Sequence, residues 1–421
     1  MSAVGESGAL PGAEPVGVGG PLVPDVTRIA VLRGGGLGDL VFALPALEAL
    51  RGAYPAAEVV LLGPAWAGSF LAGRSGTVDR VVPLPPVRGV SVHPDAQDAP
   101  PEDPGAVEDF VARMRAERFD LALQLHGGGR HSNPFVARLG ARVTAGLRTA
   151  DAAPLDRWTR YVYWQSEVAR FLEVAGLVGA RPLRLEPRLP LLARDVAAAE
   201  AALRRTPLGE ARRDGARPLV ALHPGAGDPR RRWPAPSFAA LADRLVEAGA
   251  RVVLTATAEE QALTAEVAAV ARRGPPGLVD LAGRCSLDAL AGLFAGCACV
   301  VSNDSGPLHL AAAVGAPTVG IYWCGNLINA GPASRGLHRA LLSWRLDCPV
   351  CGVDCTRATC PHKPSFVADV TVDEVATAAL DVVAGTRRAA TAGGDEPASG
   401  DQPAVERAFL PAASAGTVGR G

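Results

Sequence analysis

The chain has 421 residues, too long for one compact core and comfortable for two domains. Its formal net charge of -1 at pH 7 provides no global field to gather nucleic acid or anionic lipid, which argues against a nucleic-acid partner. Hydrophobic residues make up 48% of it, as in a soluble globular protein, yet no run of 18 apolar residues offers a membrane-spanning helix.

Met1 to Pro24 is rich in Gly, Pro and Ala and lacks a basic first segment, so it reads as a disordered leader and not a signal peptide. Residues 1–25 and 386–421 are read as low-complexity tails, 26–185 as a first α/β domain and 186–385 as a second. The first fold signal is a strand from Arg28 to Arg33. The turn Gly34 to Asp39 follows, then an amphipathic helix from Leu40 to Gly52 and a strand from Glu58 to Leu62. This is a βαβ opening with a glycine-rich first turn, as nucleotide-binding sheets often have. The dinucleotide pattern G-x-G-x-x-G fails, because Asp39 or Val41 stands where its last Gly would fall, and no G-x-x-x-x-G-K-[ST] loop occurs. Asp39 therefore places a carboxylate at a helix start, either for chemistry or to complement the helix dipole.

Val81 to Leu84 predicts a strand, and Pro85 to Gly105 a long exposed loop. A helix from Val107 to Glu117 and a strand from Phe119 to Leu125 follow, ending in His126-Gly127-Gly128-Gly129-Arg130-His131-Ser132. Such a run can mark an esterase oxyanion hole, but that needs a G-x-S-x-G elbow, which the sequence lacks. Gly127 to Ser132 is read instead as another turn lining a cleft. Val143 to Leu147 predicts a strand and Tyr161 to Ala175 a helix.

Arg181 to Pro190 and a helix from Ala193 to Arg205 join this half to the next. A strand from Leu219 to His223 ends in Pro224-Gly225-Ala226-Gly227, and Arg230, Arg231, Arg232 and Trp233 come soon after. A cationic cluster at a glycine turn suits a diphosphate, although a charge run alone is more often a solvated loop. Trp233 argues against pure solvation, since an indole there wants a packing site. Ser237 to Ala248 predicts a helix and Arg251 to Leu254 a strand, with Glu259 and Glu260 opening the next helix. Leu278 to Leu281 predicts a strand and Ser286 to Ala295 a helix. Then comes the stretch around which the second half is organised: a strand from Cys297 to Val301, Asn303-Asp304-Ser305-Gly306, a helix from Pro307 to Val314, and a strand from Thr318 to Tyr322. Asp304 and Ser305 mark a helix start whose backbone N–H groups can bind an anion; Gly306 lets a ligand approach, and His309 lies in the first turn. The bland reading is a capped helix with a core-facing histidine.

Four motifs, in order, resemble glycosyltransferase family 9, the ADP-heptose:lipopolysaccharide heptosyltransferases. They are R-G-G-G-L-G-D-L-V-F-A-L-P-A-L around Asp39, F-D-L-A-L-Q-L-H-G ending at Gly127, H-P-G-A-x-x-x-x-R-R-W-P from His223 to Pro234, and S-N-D-S-G-P-L-H-L-A-A-A-V-G-A-P-T-V-G from Ser302 to Gly320. The resemblance spans roughly residues 26–385. It implies an α/β GT-B architecture: two Rossmann-like domains facing across a cleft, the first for the acceptor and the second for a nucleotide sugar, with ADP-heptose as the donor. It implies Asp39 as general base. It carries donor binding onto His223, Gly225, Arg231, Arg232, Asp304, Ser305, Gly306, Pro307 and His309, with Glu260 (or Glu259) on the ribose. The acceptor side carries Gly38, Gly127, Arg130 and His131. The implied reaction is an inverting, metal-independent transfer that needs no cofactor. The implied acceptor is a hydroxyl of a lipopolysaccharide-core-like, lipid-linked or other glycan. The implied setting is a cytoplasmic monomer with at most peripheral contact at the inner face of the membrane. Arg231 stands where the family commonly has a phosphate-binding Lys, and the loop at 85–105 has no family counterpart. Other readings stay open: a glycosylated metabolite as acceptor, a non-catalytic binder of nucleotide sugars or phosphoglycans, or a two-domain epimerase.

Of eight cysteines, four crowd into Cys348, Cys351, Cys355 and Cys360, with His362 nearby. That favours a reduced protein with a local cluster over a disulfide framework. Ligand number and spacing are compatible with a structural zinc; the alternative is a redox-labile exposed loop.

Overall fold

The computed structural model describes residues 19–94, 100–207, 217–274, 277–358 and 360–392; the sequence-predicted tails outside these bounds lie beyond the described residues. The chain divides into two compact units, residues 1–187 and 188–421.

Unit 1 is a six-stranded parallel sheet. Its strands are β1 (Arg28–Leu32), β2 (Glu58–Gly63), β3 (Arg80–Pro83), β4 (Leu121–Gln124), β5 (Val143–Arg148) and β6 (Arg157–Arg160), in the order β3-β2-β1-β4-β5-β6. Parallel strands buried on both faces need nearly continuous apolar sequence, which is what Ile29 to Leu32 and Val59 to Leu62 supply. Helices α1 (Leu37–Ala53), α2 (Ala65–Leu71), α3 (Pro104–Ala116), α4 (Ser132–Ala137) and α5 (Glu167–Leu177) connect and cover it. One core packs Leu32, Leu62, Phe110, Met114 and Phe135 together, with the rings of Phe110 and Phe135 stacked at 5.9 Å.

Unit 2 repeats the plan. Its strands β7 (Leu219–His223), β8 (Arg251–Leu254), β9 (Leu278–Asp280), β10 (Cys299–Asn303), β11 (Thr318–Trp323) and β12 (His338–Ser343) run in the order β12-β11-β10-β7-β8-β9. Its helices are α6 (Ala193–Arg204), α7 (Ala235–Glu247), α8 (Gln261–Val270), α9 (Leu287–Ala295), α10 (Gly306–Ala313), α11 (Cys324–Ala330) and α12 (Val372–Ala392). The last reaches seven residues past position 385.

In both sheets the chain leaves the middle in opposite directions from two neighbouring strands, β1 and β4 in unit 1, β7 and β10 in unit 2. Loops at the carboxyl ends of such a pair diverge to opposite faces and leave a crevice there.

The structure corrects two local expectations. No helix starts at Tyr161: its N–H donates to Arg148 O at 2.9 Å, extending the β5 pairing, and the helix begins only after Ser166, whose Oγ accepts from Ala169 N. The loop from Pro85 is not simply exposed. Val87 and Val90 are buried, and a turn closes there with Gly89 N donating to Val92 O at 2.7 Å; residues 95–99 lie outside the described residues.

Candidate functional site

At the carboxyl end of β1, Arg33 is almost wholly buried and organises its surroundings. Its Nε donates to Asp39 O (3.0 Å), Nη1 to Leu125 O (2.9 Å) and Nη2 to Asp39 Oδ1 (2.6 Å). Its guanidinium also stacks 4.6 Å over Phe171 and lies 3.6 Å from Glu167. Asp39 sits in the first turn of α1, where its Oδ2 accepts from Gly36 N at 2.7 Å. The carboxylate is thus both helix cap and exposed charge: its side chain keeps 45% of its surface open. Gly34 is required beside it, because a Cβ there would lie 2.3 Å from Val90 O.

His126 follows β4. Burial, then the charge of Arg33, push its pKa down to about 4 against the opposing pull of Asp39, so it is neutral at working pH. Its Nδ1 is buried with no hydrogen-bond partner. The turn after it is set from below by Gln124, which donates to Gly127 O (3.1 Å) and Ser132 Oγ and accepts from Leu147 N (3.1 Å). Gly127 takes φ +62° and Gly129 φ +95°, conformations that favour glycine. Arg130 is exposed and 3.7 Å from Asp151, while His131 packs on Gly89, where a Cβ would meet its ring at 2.4 Å. Gly38 lies in the first turn of α1, beside Asp39.

Unit 2 carries the denser constellation. Asp304, after β10, is buried and accepts from Arg231 Nη1 at 3.0 Å, while its Oδ1 lies 3.0 Å from His309 Nε2. Burial alone would raise its pKa, but His309 and then Arg231 outweigh that and hold it below the usual carboxylate range. A fixed anion thus holds Arg231 and His309 at the amino end of α10, where Ser305 precedes Gly306 and Pro307. Ser305 Oγ is 3.1 Å from Ser302 Oγ.

The three arginines do not form a solvated run. Arg230 chelates Asp228 through Nε (2.9 Å) and Nη2 (2.6 Å), Arg231 holds Asp304, and Arg232 Nε donates to Ala226 O at 2.8 Å with Nη2 4.0 Å from Glu260. Trp233 has the packing site its sequence context asked for. It is fully buried, stands edge-on to Phe238 at 5.0 Å, and donates from Nε1 to Val370 O at 2.7 Å. Asn303 staples both loops, accepting from Trp233 N (2.9 Å) and donating to Pro224 O (2.7 Å). His223 is buried with Nδ1 3.2 Å from Thr255 Oγ1; burial, only partly opposed by Glu260, keeps it neutral. A Cβ at Gly225 would lie 2.4 Å from the Glu260 carboxylate and displace it. Glu259 is the exposed neighbour, so Glu260 is the acid that joins the site.

The family model for glycosyltransferase family 9 (heptosyltransferase) matches residues 107–344, more than half of the sequence. The chain belongs to glycosyltransferase family 9. Lipopolysaccharide heptosyltransferase 2 of Escherichia coli strain K12 is 28% identical over 304 residues, which cover 70% of this chain and 82% of that protein. The solved structure of E. coli ADP-heptose lipopolysaccharide heptosyltransferase II superposes with a TM-score of 0.66 at 21% identity, covering 86% of this chain and 99% of that one. An E. coli heptosyltransferase solved with ADP superposes with a TM-score of 0.61 at 19% identity, covering 85% and 100%. The fold is GT-B, and the family 9 chain is a glycosyltransferase.

In this family 9 enzyme the donor-side residues expected from sequence gather around the ends of β7 and β10. Of the acceptor-side residues expected from sequence, Gly38 lies in the first turn of α1 and Gly127 in the turn after β4, while Arg130 lies 3.7 Å from Asp151 and His131 packs against Gly89. The sequence reading missed Arg33, His126, Glu167, Thr255 and Asn303 as site residues. Arg33, His126 and Asn303 stood inside the quoted motifs; Glu167 and Thr255 carried no local signal.

All eight cysteines are free thiols. One ligand atom from each of Cys348, Cys351, Cys360 and His362 lies within 4.8 Å of the others. Cys355 stands beside this set, its Sγ 3.8 Å from Cys360 Sγ. The expected four-cysteine cluster is thus drawn together with His362 in the place of Cys355. Among the described residues, no helix is long and apolar enough to cross a membrane.

Proposed function

We propose that this enzyme transfers a heptose or closely related sugar, with inversion, from an ADP-sugar to a hydroxyl of a lipopolysaccharide-core-like or other glycan acceptor. Unit 1 binds the acceptor and unit 2 the nucleotide sugar. The observation that carries this reading is the buried Asp304 with Arg231 and His309 fixed on it, at a helix start beside the H-P-G turn. That is a preorganised receptor for negative charge developing on a leaving diphosphate. The names of the E. coli relatives supply the sugar, and the neighbour solved with ADP supplies the base.

In this scheme the acceptor hydroxyl attacks the anomeric carbon opposite the diphosphate, gives its proton to Asp39, and ADP leaves. Arg33 holds the Asp39 carboxylate in place through its Nη2 contact at 2.6 Å. Arg231, Arg232, His309 and the α10 N–H groups take up the charge of the leaving ADP. Glu260, braced by Thr257 N at 3.2 Å, is placed for a ribose hydroxyl, with His223 and Gly225 lining the approach. No cofactor enters the scheme, and the Cys/His cluster has no step in it. The enzyme is proposed to act as a monomer at the inner face of the cell membrane, with the exposed Tyr163 and Trp164 available for peripheral contact.

The test is transfer from ADP-heptose to a core oligosaccharide, with the product's anomeric configuration read by NMR. Asp39→Asn keeps an acceptor for Gly36 N and so spares the cap. It should lower kcat by about 10²–10⁴-fold and leave ADP affinity unchanged. Undiminished turnover in that variant would reduce Asp39 to a helix cap.

A further inference from the structure

Between Ser343 and Val372 the described residues form neither helix nor strand. So long an irregular segment in a compact domain needs a reason for its order. Its own core is small: Cys348, Cys360 and Phe366 are buried, with Trp323, Val353 and Cys355 packed against them. Such a core is too small to order the segment by itself, and in small cores of this kind a metal or disulfides usually make up the difference.

We infer that Cys348, Cys351, Cys360 and His362 bind one zinc ion, and that this ion positions the Arg230–Arg232 loop. Cys348 and Cys351 come from a tight hairpin. Cys348 N donates to Val353 O (2.9 Å), Gly352 N donates to Cys348 O (2.8 Å), and Gly352 turns the chain at φ +72°. Cys360 and His362 arrive from the returning strand of chain, and His362 Nδ1 is buried without a hydrogen-bond partner. Tetrahedral zinc bonds of about 2.3 Å to sulfur and 2.0 Å to nitrogen place ligand atoms about 3.5–3.8 Å apart. The four atoms here lie within 4.8 Å, so closing on the ion takes side-chain movements of about 1 Å or less. Three thiolates and one imidazole are the chemistry of a closed structural site; binding releases the thiol protons to solvent, and no coordination position is left for substrate.

The second half of the inference follows the chain out of this site. Immediately after His362, Ser365 Oγ donates to Arg232 O at 2.6 Å and Phe366 N donates to Arg230 O at 2.7 Å. The segment that closes the metal site is therefore bonded to both ends of the arginine triplet. A net charge of -1 on a three-thiolate zinc site also complements Arg230, which lies within electrostatic reach of the Cys355 and Cys360 sulfurs. Loss of the ion would free this brace, and the arginines would lose their fixed aim. This half rests on the proposed donor role of unit 2; the metal site itself does not.

The experiment uses the full chain, untagged, expressed with zinc and purified under reducing conditions without chelator. Elemental analysis should find about one zinc per chain. Cys351→Ser and His362→Ala should each hold less than a tenth of that, and Cys355→Ser and Cys285→Ser should retain it. A folded wild-type protein without zinc, or with a Cys355–Cys360 disulfide instead, overturns the site; full loss in Cys355→Ser with retention in His362→Ala overturns the ligand set. For the brace, ADP affinity is measured by calorimetry before and after zinc is removed with a thiol reagent and chelator, and in Ser365→Ala. Zinc removal should weaken ADP about 10–100-fold, the equivalent of one charge-assisted hydrogen bond. Ser365→Ala should keep its zinc and weaken ADP in the same direction. Unchanged ADP affinity in the zinc-free protein overturns the brace, whereas zinc at one equivalent with no ADP binding in either form refutes the donor reading and leaves the metal site standing.

Discussion

Two buried histidines give the single residues of this enzyme a measurable signature. His126 and His223 are both kept neutral by burial, His126 with its pKa down to about 4. In the unfolded chain each would titrate near 6.5. Between those values the unfolded state binds more protons than the native one, so stability rises with pH there. Their contribution is fully present above pH 6.5 and is lost as the pH falls towards 4, to a ceiling of about 3 kcal/mol for each group. Urea unfolding at pH 7 and pH 5 should show the loss. His223→Gln, which can still hydrogen-bond Thr255, should shrink the difference between the two pH values; an unchanged difference would mean that His223 is protonated without cost. Asp304 lies outside this window, because its lowered pKa makes its contribution fade only in stronger acid.

At the scale of elements, the loop from Ala226 to Trp233 shows how a surface-looking sequence is made rigid. Each arginine is tied to a neighbour, and Trp233 anchors the end. Trp233→Ala should therefore cost about 3–5 kcal/mol in stability, as for a large buried aromatic, and lower the thermal midpoint accordingly. A loss below 1 kcal/mol would show that the pocket around Phe238 closes without it. The same loop marks what was legible in the sequence. Glycine turns, the Trp233 packing site and the Asp304 helix start could all be read locally, because turn chemistry and apolar periodicity are local. The pairing of Arg231 with Asp304, and of Arg33 with Glu167, joins residues far apart in sequence. No spacing rule reports such pairs. Two of the four edge strands, β6 and β12, were also hidden: β6 reads Arg-Trp-Thr-Arg, only half buried and with charge at both ends, so it lacks the apolar run of a central strand. The helix misplaced at Tyr161 failed for a similar reason. Arg170 holds that segment out of the helix, donating to Val162 O (2.8 Å) and Tyr163 O (2.9 Å) from a position further along the chain.

The whole molecule repeats one arrangement: a six-stranded parallel sheet whose chemistry gathers where strand order reverses. In unit 1 that point holds Arg33, Asp39 and His126; in unit 2 it holds His223, Asn303 and Asp304. The division of labour proposed for the units makes them separable by ligand. ADP at a hundredfold excess over its dissociation constant should add about 2.7 kcal/mol to the state that binds it. By hydrogen exchange, the added protection should fall on Gly225 to Trp233 and on Gly306 to His309 in unit 2. A core oligosaccharide without donor should instead protect Arg33 to Asp39 and His126 to His131. If ADP slows exchange at Arg33 to Asp39 and leaves Gly306 to His309 untouched, the roles of the two units are reversed, and with them the assignment of Asp39 as the base.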